Sequence, residues 1–176
     1  YYGEKLLLNS SVKKGIAPSE LAQEMGFRMG DKIESINGNK IIHLEDALNA
    51  QIIMSENPIY TVNRNDSMVD IKLPNDFLKR LTKKTKGGFF TPRMELYVEK
   101  TTVGSAAEKA GLMPNDKIIG VDTNRINCFD EFQPLLIAYA GKETPITIIR
   151  NKDTLKLISK IGTDGKLGFI PTDKNW

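Results

Sequence analysis

Side chains that commonly carry covalent chemistry are scarce in this chain of 176 residues, which has one histidine, His43, and one cysteine, Cys128. A zinc-hydrolase helix of the His-Glu-x-x-His kind needs two histidines one helical turn apart to face one metal, and a single His cannot supply that pair. A Ser-His-Asp triad would have to recruit the same His43, and there is no Gly-x-Ser-x-Gly elbow to lift a serine above a sheet. Cys128 has no base in its surrounding pattern and stands at the entry to an apolar helical stretch, where it reads as a small buried hydrophobe. No glycine-rich phosphate loop occurs. The chain is therefore expected to be non-catalytic, and His43 is assigned to a surface or capping role.

What remains is binding chemistry. Hydrophobic residues make up 40% and charged residues 27% of the chain, which describes an ordinary globular composition. The net charge is +3 (25 basic against 22 acidic residues), too mild and too dispersed to attract nucleic acid. Lys79, Arg80, Lys83, Lys84 and Lys86 form a basic run that reads as a solvated helix or loop, with contact to anionic headgroups as the alternative. No apolar run is long enough to span a bilayer and no signal peptide is visible. Because the chain starts at Tyr1 rather than Met, it is expected to be a piece of a longer protein.

The strongest internal signal is a repeat. "GFRMGDKIESINGNKI" from Gly26 and "GLMPNDKIIGVDTNRI" from Gly111 match at an offset of 85 (111 − 26). Upstream, "SELAQEMG" lies over "GSAAEKAG"; downstream, "PIYTVNRN" resembles "PITIIRN", and "GGFFTP" echoes "LGFIPT". Four landmarks recur in one order, so the chain reads as two domains, 1–93 and 94–176, each of ordinary size for a folding unit.

Each copy changes period in the same sequence. "ELYVEKT" alternates as a strand should, with Leu96 and Val98 on one face. A short Ala-containing helix follows, with the Ser of "GSAAEKAG" at its N-cap and Gly111 as its stop. A second strand ("DKIIGVD") comes next, then a longer helix. In copy one, "LEDALNAQIIM" puts Leu44, Ala47, Leu48 and Ile52 on one stripe; in copy two, "FDEFQPLLIAYAG" offers Phe129, Phe132 and Leu136. Pro134 predicts a late start or a kink, because an interior proline costs about 3 kcal/mol or more. A hairpin and a last Gly-containing strand complete the unit. Gly26, Asp31, Gly111 and Asp116 are read as fold residues, since Gly permits a sharp corner there and an Asp can accept backbone N–H bonds at it.

The segment "GSAAEKAGLMPNDKIIGVDTNRI" resembles the Gly-Leu, Gly-Asp-x-Ile and Val-Asp-Gly signature of bacterial PDZ domains, with Asn115 and Thr123 standing where Gly is usual. That resemblance implies an α+β fold of two PDZ-like domains in tandem, each a small, partly open β-barrel or sandwich with two helices. The Gly-Phe strand comes last in both copies, so the order is similar to that of circularly permuted bacterial PDZ domains. The resemblance further implies a peptide groove between the long helix and the last strand, where an extended chain adds itself to the sheet. Its carboxylate-binding loop corresponds to Lys166, Leu167, Gly168 and Phe169, continued by Ile170, and in copy one to Lys86, Gly87, Gly88 and Phe89, continued by Phe90. On the helix side, Leu44, Ala47 and Leu48 are expected to face the first groove, and Phe129, Phe132 and Leu136 the second.

A permuted tandem joined directly through "GGFFTPRMELYVEKTTVGSAAEKAGL" is similar to the extracytoplasmic insert of bacterial site-2-type intramembrane zinc metalloproteases, the regulators of sigma-E proteolysis. The resemblance implies a non-catalytic filter on the periplasmic face of the inner membrane. Its partners would be membrane-anchored protein or peptide substrates such as an anti-sigma factor, and no cofactor would bind within the fragment. The zinc would be held by transmembrane helices outside this sequence. The alternative is the peptide-binding PDZ tandem of a soluble envelope serine protease or a secretion component.

Overall fold

The computed structural model describes residues 6–49, 52, 54–84 and 88–174. The chain divides into two compact units at Arg93/Met94, each mainly β-sheet with a few short helices. Among the described residues neither unit closes into a barrel.

In the first unit, Ile16–Pro18 (β1) leads into the helix Glu20–Glu24 (α1). The Ser19 hydroxyl accepts from the Ala22 N–H at 3.3 Å, satisfying one of the donors left over in the first turn. Lys32–Ile36 (β2) turns through Asn37 and Gly38, both with φ above zero, into Asn39–Lys40 (β3). Ile59–Arg64 (β4) and Ser67–Lys72 (β5) form a hairpin, and the four strands order as β3-β2-β4-β5. A helix, Phe77–Lys84 (α2), takes up most of the basic run, and Phe90–Pro92 (β6) pairs antiparallel with β1.

The second unit follows the same order without a counterpart of α2, and its strands join in one sheet: Tyr97–Thr101 (β7), Ala106–Lys109 (α3), Lys117–Val121 (β8), Asn124–Arg125 (β9), Phe129–Ala138 (α4), Glu143–Arg150 (β10), Asp153–Lys160 (β11) and Phe169–Thr172 (β12). Its sheet runs β11-β10-β8-β7-β12, with β9 paired to β8, so β12 is an edge strand beside the first strand of its own unit. Leu96 and Val98, placed on one face by the alternation of "ELYVEKT", are both buried. Each unit has its own apolar core: one from Val12 to Phe89, centred on Phe27, Tyr60, Val62 and Leu73, the other from Leu96 to Leu167, centred on Ile118, Phe132, Ile146 and Ile148.

Two helix expectations need correction. The stripe from Leu44 does not continue as one helix: a 3₁₀-helix spans Leu44–Leu48 and stops at Asn49, whose backbone is extended (φ −68°, ψ 159°). Asn49 then acts as a local cap, its Oδ1 accepting from the Ile52 N–H at 3.0 Å, which is the competition with the helix backbone that an Asn side chain offers. In copy two, α4 starts at Phe129, not late, and runs through Pro134. Pro134 lies on the exposed side of the helix, and Glu131 secures the start by accepting the Asn127 N–H at 2.7 Å.

Candidate functional site

Each unit carries the same charged clamp. Asp31 and Asp116 are almost wholly excluded from solvent. Arg64, the last residue of β4, meets Asp31 through Nε and an Nη at 2.8 Å each, and the same Nη donates to the Gly26 carbonyl at 2.8 Å. Arg150, the last residue of β10, meets Asp116 at 2.7 Å through both nitrogens and the Gly111 carbonyl at 2.8 Å. The Arg28 and Met113 N–H groups complete the two carboxylates, each at 2.8 Å. The bonded carboxylate holds the pKa of each arginine above its ordinary value. A planar guanidinium fits this two-pronged geometry, so the clamp pins the corner after the small helix to the far end of the hairpin. It is architecture, in keeping with Asp31 and Asp116 as fold residues. Sequence reasoning missed the two arginines, though both end the matched phrases "IYTVNR" and "ITIIR", 86 positions apart (150 − 64).

The second unit also holds a cleft of about 270 Å³ between α4 and β12. Phe129, Phe132, Gln133 and Leu136 line it from the helix; Gly165, Lys166, Leu167, Gly168, Phe169 and Pro171 line it from the closing segment. Phe132 meets Phe169 edge-on, with ring centroids 5.9 Å apart, and Leu167 is buried beneath. Seven of the residues expected at this groove therefore surround one cleft: Phe129, Phe132, Leu136, Lys166, Leu167, Gly168 and Phe169. Ile170 does not; it takes the opposite face of β12.

The loop before β12 turns its carbonyls inward. Lys166, Leu167 and Gly168 C=O accept from the N–H groups of Gly162, Ala107 and Thr102 at 3.0, 2.8 and 2.9 Å. Among the described residues no acceptor is bonded to the Leu167 or Gly168 N–H. Gly168 is required by both conformation and space: its φ is +83°, and an added Cβ would lie 2.5 Å from the Ser105 Cβ. An anion with an apolar tail is the chemistry that unbonded N–H groups beside an apolar cleft can meet.

The first unit is built differently at the same place. Leu44, Ala47 and Phe89 are buried core residues, while Leu48 and Phe90 are partly buried against that core. Phe89 stands in an aromatic cluster with Phe27, Phe77 and Phe90, at centroid distances of 5.6, 5.1 and 5.2 Å. Pro18 faces Phe90 as Thr101 faces Phe169, and the Ser19 N–H bonds the Phe89 carbonyl as the Thr102 N–H bonds that of Gly168. The counterpart of Phe169 is therefore Phe90, one residue later than "GGFF" suggests, and Phe89 is buried in the first core as Leu167 is in the second. Gly88 adopts φ +89° ahead of Phe89, and Gly87 lies outside the described residues.

His43 precedes the Leu44–Leu48 turn and donates its backbone N–H to Asp46 Oδ2 at 2.9 Å, a capping arrangement. Cys128 is buried at the start of α4. In the basic run, Arg80 pairs with Asp76 at 2.8 Å; Lys86 lies outside the described residues. Among the described residues no three His, Cys, Asp or Glu side chains converge as metal ligands, and no helix is long and apolar enough to cross a membrane.

No family model matches the chain. It is 26% identical over 146 residues to a protein of Neisseria meningitidis serogroup A named "Putative zinc metalloprotease". The match covers 79% of this chain and 33% of that protein, so the chain spans about a third of its relative's length. The similarity associates this chain with such a protease, while the described residues offer no ligand set for the zinc in the relative's name.

Proposed function

We propose that the chain is a non-catalytic tandem of permuted PDZ-like units belonging to a membrane-embedded zinc metalloprotease, lying on the periplasmic side and filtering which protein chains reach the protease. The observation that carries the binding half of this reading is the cleft between α4 and the edge strand β12, apolar along its floor and flanked by the unbonded N–H groups of Leu167 and Gly168. A free C-terminus fits these features, its carboxylate received by the loop and its last side chain set against Phe132 and Leu136. Similarity to a named zinc metalloprotease supports the parentage, with the metal held by segments beyond this sequence.

Two experiments test the two halves. Titration of the chain with a peptide bearing a free C-terminal leucine should shift NMR signals of residues 165–171 and of α4, and amidation of the terminus should abolish the shifts. Shifts that ignore amidation would remove the carboxylate from the reading. The complete gene should encode hydrophobic spans and a His-Glu-x-x-His motif outside this segment; their absence would end the protease assignment.

A further inference from the structure

The closing strands of both units read Phe-x-Pro: Phe90-Thr91-Pro92 and Phe169-Ile170-Pro171. In a strand, successive residues direct their backbone N–H and C=O to opposite edges. The Gly168 carbonyl, just before β12, is taken by the Thr102 N–H on the β7 side, and alternation from there turns Phe169 and Pro171 to the outer edge. The partner strand agrees. Val98, which stands opposite Pro171, spends its own N–H and C=O on Asp116 and Asn115 on its far side. The first unit repeats the pattern. Phe89 C=O and Arg93 N–H both bond toward the β1 side, to the Ser19 N–H and the Gly15 C=O, so Phe90 and Pro92 face outward.

Proline has no N–H, so the outer edge of β12 offers one complete donor and acceptor pair, at Phe169, and only a carbonyl two residues later, at Pro171. The ladder beside it is also irregular, with a register shift between Ile170 and Pro171. Pro171 itself lines the cleft. The copies have diverged in their groove helices and in the order of Gly and core residue before β6 and β12, yet both place proline at this outward position.

We infer that Pro171 limits strand addition to a single complete backbone pair, so that the groove of the second unit reads the last residue of a chain and does not zip up an extended internal segment; Pro92 curtails the outer edge of β6 in the same way. This rests on the reading of the cleft as a site for a free C-terminus. An antiparallel ligand would pair its last residue with Phe169. Its third-last residue could still donate its N–H to the Pro171 carbonyl, but its own carbonyl would find no donor and stay with water. Selectivity then falls to the apolar cleft and the terminal side chain.

The test uses N-acetylated ligands of one, four and six residues, alanine throughout except for a C-terminal leucine with free carboxylate, titrated by NMR into the whole chain and into its Pro92→Ala, Pro171→Ala and double variants. For the unsubstituted chain, affinity should rise less than about threefold from one to six residues. The double variant should raise the affinity for the six-residue peptide relative to N-acetyl-leucine, which has no third-last carbonyl, by about three- to tenfold, the worth of one added hydrogen bond net of hydration. Affinity that climbs steadily with length in the unsubstituted chain, or variants that fold and gain nothing, would overturn the inference while leaving the groove in place. Failure of every peptide to bind any form would remove the groove reading, and this inference with it. If the alanine variants do not fold, an ester replacing the amide that follows the third-last ligand residue serves instead. It weakens the carbonyl said to be unpaired, so it should leave binding to the unsubstituted chain within about twofold; a larger loss would mean that carbonyl is bonded.

Discussion

Asp31 and Asp116 are buried carboxylates satisfied three ways, by a two-pronged arginine and by a backbone N–H. Removing one partner of a buried pair leaves the other desolvated and costs about 3 to 5 kcal/mol. Because Arg64 and Arg150 keep 22% and 24% side-chain exposure, the freed guanidinium can recover some hydration, and the lower end of that range applies. Asp31→Ala should therefore destabilise the first unit by about 3 kcal/mol in urea unfolding, and Asp116→Ala the second by a similar amount. Tyr60 makes a different kind of commitment: its buried hydroxyl donates to the Ala47 carbonyl at 2.5 Å, and burial pushes its pKa well above the ordinary phenol value. A group whose folded pKa is raised contributes stability that is intact below its unfolded pKa and lost as pH rises past it. The first unit should accordingly weaken above pH about 10, where an unfolded tyrosine begins to ionise. Tyr60→Phe should flatten that slope while costing about 1 to 3 kcal/mol at neutral pH for the carbonyl left unpaired, both readable from denaturation at a series of pH values.

Among elements, the equivalent helices of the two units show how a small local choice redirects a helical stripe. α4 is ten residues long and turns Phe132 and Leu136 toward β12, so helix and strand edge bound a cleft. The Leu44–Leu48 turn sends Leu44 and Ala47 into the core and ends where Asn49 bonds its own neighbour. Pro134 sits inside α4 without an N–H to give the preceding turn, so the helix is held by its packed face and its start. Pro134→Ala should raise the unfolding free energy of the second unit, by no more than about 3 kcal/mol, and should leave peptide binding unchanged because Pro134 lies on the exposed side. A loss of stability in calorimetry would show instead that proline's restriction of the unfolded chain outweighs the missing bond.

At the scale of the molecule, each apolar core draws on one unit alone, and each closing strand pairs with the first strand of its own unit. Residues 1–93 and 94–176 expressed separately should each unfold cooperatively, and Asp31→Ala in the whole chain should lower one thermal transition and leave the other in place; one merged transition shifted as a whole would contradict this. The sequence by itself was sufficient for the order of elements in the second unit, the cap at Ser105 and the burial of Leu96 and Val98, because periodicity and cap chemistry act between residues near one another in the chain. It also pointed to seven of the residues around the second cleft, since a helical stripe and a Gly-Phe strand are both local patterns. Only the tertiary structure decided the rest: that Arg64 and Arg150 close on carboxylates more than thirty residues away, that Phe89 is core and Phe90 the counterpart of Phe169, and that the two prolines face the outer edge. Those outcomes depend on which distant atoms compete for the same volume and the same hydrogen bonds, and that competition exists only once the chain has packed.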